Sequence, residues 1–157
     1  MATRVGMGFD VHPFADDDRR PLVLGGVVVS AMQGLAGHSD SDVVAHAVAD
    51  ALLGAAGLGD LGEHFPDSDP TWRDADSALL LAEVVGLVQE DGWAVANVDC
   101  SVVLEAPRLA PHKAAIEARM SELVRGPVSV KAKRAEGLGA LGRGEGIACW
   151  AVALIER

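Results

Sequence analysis

The sequence contains no tyrosine, and only three phenylalanines and three tryptophans occur among its 157 residues. Proteins that bind single-stranded nucleic acid usually stack successive bases on aromatic side chains, and this chain offers no such series. Basic residues are also in the minority, because 13 lysines and arginines stand against 23 aspartates and glutamates, for a formal net charge of -10. Such a chain repels a phosphate backbone. The composition argues against nucleic acid as a partner. A small anionic ligand could still bind, because a few local cations or a metal ion can overcome the overall negative charge.

Cysteine is scarce as well. The two that are present, Cys100 and Cys149, lie in separate apolar runs without a second cysteine at short spacing, which predicts buried free thiols. The first twelve residues, MATRVGMGFDVH, hold no long apolar segment, and this argues against a signal peptide and against a membrane span. We therefore expect a cytoplasmic protein that has no membrane partner.

Half of the residues are hydrophobic, so a chain of this length can bury a core of its own, and we expect one domain over residues 1–157. β-Branched runs between turn-forming residues predict strands, and longer apolar runs behind capping residues predict helices. Their interleaved order favours an α+β protein, a two-layer domain whose mixed β-sheet carries its helices on one face. The predicted strands cover residues 5–11, 22–29, 95–104, 128–132 and a central 147–155, and the predicted helices cover 41–57, 76–90 and 111–124, with a loop over 59–71.

Three polar residues suggest a metal site. Asp10 and His12 are two residues apart on the first predicted strand, so their side chains leave the same face. His46 lies on the first predicted helix, one turn after Asp42 and one turn before Asp50, in a polar stripe on an apolar helix. One carboxylate and two imidazoles suit Zn²⁺ or a similar ion and leave a coordination position open for water or substrate. The alternative is a strand end and a hydrogen-bonded core histidine, because Asp-x-His is a short and common pattern.

Two other segments offer anion-binding chemistry. His38 and Ser39 stand near the start of the first predicted helix, where amide groups, a hydroxyl and the helix dipole favour phosphate, although plain capping by Ser39 explains the same residues. Later in the chain, three cations stand within four residues, next to Glu136. This second cluster suits a phosphate clamp with a carboxylate for a divalent cation, or else a solvated strand end. Its cations are Lys131, Lys133 and Arg134.

Five segments follow one another along nearly the whole chain: GFDVH (8–12), HSDSDVVAHAVADALLGAAGLGD (38–60), FPDSDP (65–70), NVDCSVVLEAPRLAPH (97–112) and GRGEGIA (142–148). Together they resemble the 2-C-methyl-D-erythritol 2,4-cyclodiphosphate synthase family. The resemblance implies a metal-dependent lyase of the non-mevalonate isoprenoid pathway, which closes a cyclic diphosphate on a cytidine diphosphate substrate and releases CMP. It also implies a homotrimer with active sites between subunits, each holding one zinc ion and one Mg²⁺ or Mn²⁺.

The resemblance also implies roles for individual residues. Asp10, His12 and His46 stand at the zinc positions, and Glu136 stands where the family holds the second cation. His38 stands at the position credited with stabilising the transition state, residues 60–62 and 65–69 match segments that close on the methylerythritol phosphate, and residues 104–110 match the wall of the cytidine pocket. The substrate-contacting positions are Asp10, Val11, His12, His38, Ser39, Asp60, Leu61, Gly62, Phe65, Pro66, Asp67, Ser68, Asp69, Leu104, Glu105, Ala106, Pro107, Arg108, Leu109, Ala110, Lys133, Arg134, Ala135, Glu136, Ala140 and Arg143.

The chain departs from the family at one place. Where the family usually has K-A-T-T-x-E, this chain has Lys131-Ala-Lys-Arg-Ala-Glu136, so Lys133 and Arg134 replace two threonines that contact phosphate. Charged donors also stabilise a phosphoryl transition state, and Arg134 is therefore a candidate catalytic residue. Two other functions stay open at this point. One is a metal-dependent phosphohydrolase that releases a linear phosphate, and the other is a trimeric metal- or isoprenoid-binding protein without turnover.

Overall fold

The computed structural model describes residues 1–157. Its strands are β1 (Thr3–Pro13), β2 (Leu22–Leu24), β3 (Val27–Ser30), β4 (Ala94–Val103), β5 (Val128–Lys133) and β6 (Gly146–Glu156). Its helices are α1 (Val43–Ala56), α2 (Leu61–His64), α3 (Ser77–Glu90), α4 (Lys113–Val124) and α5 (Gly139–Gly142), with a 3₁₀ turn at Pro70–Trp72. None of these helices is both long and apolar enough to cross a membrane.

Four strands form one mixed sheet in the order β1-β6-β4-β5. The central β6 runs antiparallel to both β1 and β4, and β4 runs parallel to β5. The carboxyl ends of β1, β4 and β5 therefore meet the start of β6 at the same edge of the sheet. The predicted α+β class, the mixed sheet and the central position of the last strand are confirmed.

Helix α1 packs directly on β1 because two glycines of the strand leave no side chain in the way. A Cβ atom at Gly8 would lie 1.9 Å from the carbonyl oxygen of Ala47, and one at Gly6 would lie 2.0 Å from that of Ala51. Glycine within a strand commonly marks such a close approach of another backbone. The contact sets His46 of the helix against Asp10 of the strand.

The opposite face of the sheet has no helix over it and presents large apolar side chains to solvent. Met7 on β1 is 69% exposed, and Val152 on β6 is 44% exposed. A two-layer protein with helices on one face leaves the other face bare in this way, and exposed apolar surface of such extent is typical of an interaction site. The other large apolar side chains of this bare face are Val5, Phe9, Val11 and Trp150.

The predicted strand over residues 22–29 is instead a hairpin of β2 and β3, because Gly25 and Gly26 turn the chain with φ of 59° and 72°. Asp42 holds this turn: its carboxylate accepts from the amides of Gly25 at 2.8 Å and Gly26 at 2.7 Å, and it also caps α1. Burial raises the pKa of Asp42 to about 6, although the amide hydrogen bonds lower it. Asp42 therefore stabilises the hairpin turn and does not face the metal site. Of the predicted polar stripe on α1, only His46 and Asp50 line the cavity at that site.

The other element boundaries lie within two residues of the prediction for most elements. Two segments without a clear period contain short helices: α2 lies inside the predicted loop 59–71, the 3₁₀ turn begins inside it and ends at Trp72, and α5 lies in the glycine-rich stretch before β6. Cys100 and Cys149 are buried and free, as predicted.

Candidate metal centre and active site

Asp10, His12 and His46 converge at the end of β1. The Oδ2 atom of Asp10 lies 3.2 Å from His12 Nε2 and 3.1 Å from His46 Nδ1. One donor atom from each of the three residues lies within 4.8 Å of the others. All three side chains are partly buried, which limits competition from bulk water. The structure thus brings together the three residues that sequence spacing selected.

The orientation of His12 shows which ring nitrogen faces the cluster. Its Nδ1 lies 2.8 Å from the carbonyl oxygen of Ala36. A carbonyl only accepts hydrogen bonds, so Nδ1 carries the proton and the neutral ring directs the Nε2 lone pair at Asp10. Ring nitrogens that face a carboxylate oxygen at this distance need a proton or a cation between them. This donor set therefore suits a metal ion that binds neutral imidazoles and a carboxylate.

The short distances between Asp10 and the two imidazoles shift the pKa values of Asp10 and His12. Burial raises the pKa of Asp10, but hydrogen bonds from His12 and His46 outweigh it and lower the pKa to about 2. The hydrogen bond to Asp10 raises the pKa of His12 above its ordinary value, against the opposing effect of burial. In the metal-free protein, protons on the imidazoles thus compensate the carboxylate charge, and a cation would displace them.

The cluster forms one wall of a cavity of about 300 Å³. His38 and Ser39, which the sequence assigned to phosphate, line it together with Asp67. Ser39 is buried, whereas His38 is exposed at the opening. His38 lies five residues before α1 and Asp42 caps that helix, so His38 and Ser39 precede the helix end at which the sequence placed them. Further predicted residues on the cavity wall are Leu61, Gly62 and Phe65.

Asp50 is a cavity residue to which sequence reasoning gave no role, although it was part of the polar stripe. It projects from α1 into the cavity, and its carboxylate accepts from the amide of Leu61 at 2.8 Å. Burial raises its pKa. Asp50 therefore connects the start of α2 by a hydrogen bond to α1, the helix that carries His46. Trp72 also lines the cavity and packs edge-on against Phe65 with 4.9 Å between ring centroids.

The rest of the predicted 60–69 segment is not on the cavity wall. Asp60 caps α2 through the amide of Glu63 at 2.9 Å, and Asp69 caps the 3₁₀ turn through the amide of Thr71 at 2.9 Å. Pro66 and Ser68 are exposed on the loop between them. Val11 lies on the opposite face of β1 from Asp10 and is 47% exposed, so only its backbone can face the metal cavity.

A second cavity, of about 460 Å³, lies at the carboxyl ends of β4 and β5. It is lined by most of the predicted cytidine wall and by the two residues that replace threonines. Glu105 supports this region, because its carboxylate accepts from the amide of Ala135 at 2.8 Å and lies 3.9 Å from Arg134 Nε. Ala106 precedes a cis proline and faces a neighbouring cavity. The residues that line the second cavity are Leu104, Glu105, Pro107, Arg108, Leu109, Ala110, Ala132, Lys133 and Arg134.

The remaining predicted residues lie beyond β5. Glu136 is exposed, with φ of 54°, and it is not part of the cluster of three metal-binding groups. Arg143 is engaged by its neighbour, with Nε 3.0 Å from Glu145 Oε1, and Ala140 lies exposed on α5. Within one chain, the predicted zinc ligands therefore meet, whereas Glu136 and Arg143 stand apart from them.

The chain is similar to known proteins over nearly its whole length. The YgbB family model matches residues 3–156. The chain belongs to the YgbB family. Among similar proteins, the 2-C-methyl-D-erythritol 2,4-cyclodiphosphate synthase of Syntrophomonas wolfei subsp. wolfei is 55% identical over 157 residues, which cover 98% of this chain and 99% of that protein. The synthase of the same name from Geobacillus kaustophilus is 51% identical and covers 98% of each chain.

The YgbB-family fold agrees with solved structures. A 2C-methyl-D-erythritol-2,4-cyclodiphosphate synthase solved in a form with CDP bound matches with a TM-score of 0.88 and 37% identity, over 98% of this chain and 100% of the other. The resemblance that the five sequence segments predicted is confirmed.

Proposed function

We propose that this YgbB-family protein is a 2-C-methyl-D-erythritol 2,4-cyclodiphosphate synthase. The substrate is 4-diphosphocytidyl-2-C-methyl-D-erythritol 2-phosphate. An oxygen of the 2-phosphate bonds to the β-phosphorus, the bond from that phosphorus to the bridging oxygen breaks, and CMP leaves. The observation that carries the proposal is the convergence of Asp10, His12 and His46 on one point at the wall of a polar cavity.

The three converging side chains would hold zinc, and this ion would supply a Lewis acid that withdraws charge from the β-phosphate. Asp10 and the two imidazoles leave a coordination position for a substrate oxygen, as catalytic zinc sites require. No nucleophile from the protein is needed, because the attacking phosphate belongs to the substrate. Catalysis then depends on alignment and charge neutralisation.

The cavity walls would provide the alignment. His38 stands exposed at the opening and would stabilise charge on the reacting phosphate, while Ser39 would donate its hydroxyl to it. Opposite them, the segment from Asp60 to Asp69 would fold the methylerythritol chain so that its two ends meet. Asp50 holds that segment through the Leu61 amide, which supports such a role.

The second cavity would hold the nucleotide half of the substrate. Residues 104–110 would surround the cytidine, and Lys133 and Arg134 would neutralise the diphosphate. Glu136 would bind Mg²⁺ or Mn²⁺, which prefer carboxylate and phosphate oxygens. This end of the site would be completed by Ala135, Ala140 and Arg143. Arg143 would bind the substrate either after breaking its ion pair with Glu145 or while keeping it.

We further propose a homotrimer in which the site lies between neighbouring subunits. No residue lines both the metal cavity and the second cavity. A second copy that presents its β5 end to the metal cavity would join them. The bare apolar face of the sheet is a suitable contact surface for such an assembly, because burying its exposed side chains would be favourable.

The test is to incubate the zinc-loaded protein with the substrate and Mg²⁺ and to follow the products by phosphorus NMR. The proposal expects the cyclic diphosphate and equimolar CMP. CMP with a linear phosphate would instead identify a hydrolase, and an absence of turnover by protein that retains zinc would favour a binding protein. Sedimentation equilibrium on the same sample measures the subunit number, and a monomer would contradict the trimer.

A further inference from the structure

His46 makes a hydrogen bond on the side of its ring that faces away from Asp10. Its Nε2 lies 2.8 Å from the hydroxyl of Ser77, the first residue of α3. That hydroxyl is hydrogen-bonded in turn to the carboxylate of Asp40, whose other oxygen lies 3.2 Å from the backbone nitrogen of Ser77. Ser77 is 1% exposed, so water does not compete for these bonds.

The direction of the bonds follows from what each group can donate. The carboxylate of Asp40 only accepts, so the hydroxyl proton of Ser77 points to Asp40. The oxygen of Ser77 is then free to accept, and it accepts from the Nε2–H of His46. With the proton fixed on Nε2, the ring directs the lone pair of Nδ1 at the point where the metal-binding atoms converge.

Helix capping does not account for the Ser77 hydroxyl. The cap of α3 is Asp76, whose side chain accepts from the amide of Ala78 at 2.8 Å. Ser39 is a weaker candidate for the same task, because its hydroxyl lies 3.4 Å from His46 Nε2. Ser77 is therefore the group placed to fix the ring of His46.

We propose that Ser77 and Asp40 are positioning residues for the metal site: through His46 Nε2 they select the tautomer and orientation that present Nδ1 to the ion. The inference rests on the metal site of the proposed function. Hydrogen-bonded partners behind a histidine ligand increase its basicity and hold its ring, and their loss typically lowers metal affinity 10- to 100-fold. Asp40 would act by keeping the Ser77 proton away from His46.

The test is the zinc affinity of Ser77→Ala, measured by competition with a chromophoric chelator, together with the ¹⁵N chemical shifts of the His46 ring. We expect zinc to bind about 10- to 100-fold more weakly and the ¹⁵N shift of His46 Nε2 in the zinc-bound protein to change, because its hydrogen bond to Ser77 is lost. Ser77→Thr keeps the hydroxyl and should restore both. Asp40→Asn, which keeps an acceptor but removes its charge, should weaken zinc several-fold.

Ser121→Ala is the matched control, because that hydroxyl accepts from the amide of Val128 far from the cavity and should leave zinc affinity unchanged. Wild-type zinc affinity in Ser77→Ala would overturn the inference. His46→Ala separates it from the proposed function. If that variant keeps stoichiometric zinc, the metal site itself is wrong, whereas loss of zinc there with full affinity in Ser77→Ala rejects only the positioning role.

Discussion

In the metal cavity the polar side chains hold one another, whereas in the second cavity most of them face solvent. Asp10 accepts from two imidazoles, His12 donates to the backbone of Ala36, and His46 is bonded to Ser77. These contacts come from β1, α1, α3 and the loop before α1. The geometry of this site is therefore built into one chain before any ligand arrives.

The end of β5 is organised differently. Lys133, Arg134 and Glu136 are all exposed, and only Glu105 anchors the segment, through the amide of Ala135. Such side chains gain their partners from a ligand or from a neighbouring copy. Changes in the metal cavity should therefore affect the site before substrate binds, whereas changes at β5 should matter only when substrate and divalent cation are present.

The largest effect is expected for His46→Ala. Removing one of three ligands should abolish stoichiometric zinc and lower turnover about 1,000-fold, because a Lewis acid contributes several kcal/mol at a phosphoryl centre. Metal analysis and CMP release measure the two losses. His112→Ala is the control, since that side chain makes no capping bond and lies outside both cavities. Full turnover without zinc would remove the metal from the mechanism.

A smaller effect is expected for Glu136→Gln, about 100-fold on turnover, because the amide keeps the shape of the side chain but loses the charge proposed to bind the second cation. Zinc content should not change, since Glu136 is not part of the converging cluster. The concentration of Mg²⁺ at half-maximal rate should rise. Glu122→Gln on α4 is the control. A normal Mg²⁺ requirement would show that another group holds the second cation.

These two sites differ in how far the sequence could predict them. The spacing of Asp10 and His12 on a strand places both on one face, and the position of His46 on an apolar helix marks it as unusual. Their meeting depends on α1 lying against Gly6 and Gly8, which no local pattern of polar residues shows. Ser77 was missed for the same reason, because locally it only follows the cap Asp76 at the start of a helix.

The fold followed mainly from periodicity, and its exceptions have local causes. The hairpin at residues 22–30 was predicted as one strand because its turn is only Gly25-Gly26, held from a distance by Asp42. The roles of Lys133, Arg134 and Glu136 could be predicted only from resemblance. An exposed cluster near a strand end has the same sequence pattern whether it binds phosphate or water.

When the metal is removed, the ion pairing of Asp10 with the imidazoles should make the stability of the fold depend on pH. The lowered pKa of Asp10 stabilises the metal-free fold above pH 3.8, its ordinary value, and this contribution is lost as pH falls towards 2. The raised pKa of His12 stabilises the fold fully below pH 6.5, and this is lost as pH rises through the raised value. The Asp10 contribution should amount to about 1–2 kcal/mol after allowance for solvent screening.

Thermal unfolding between pH 2 and pH 8.5, with zinc and with chelator, measures this prediction. In the chelated protein, the stabilisation that comes from Asp10 and His12 should be fully present between pH 4 and 6.5 and should be lost towards pH 8.5. Zinc should restore the alkaline stability and have little effect near pH 5, where protons compete for the imidazoles. Asp10→Asn should remove the difference between the profiles with and without zinc, whereas the pH dependence that comes from the raised pKa of Asp42 should remain. Equal profiles with and without zinc would show that the cluster does not bind the ion.

The smallest effect, about 10-fold on kcat/KM, is expected for Arg134→Ala. In the free protein Arg134 is exposed and only 3.9 Å from Glu105, so its loss should not change the unfolding temperature or the zinc content. With substrate, the substitution would remove one of the two cations proposed to neutralise the diphosphate, and Lys133 would retain part of the neutralisation. Arg134→Thr, which restores the residue usual in the family, should recover most of the rate, and Arg119→Ala on α4 should have no effect. An unchanged rate in Arg134→Ala would mean that the diphosphate does not reach the end of β5. Neighbouring copies would then have to be arranged differently from the proposed trimer, in which the β5 end of one copy faces the metal cavity of the next.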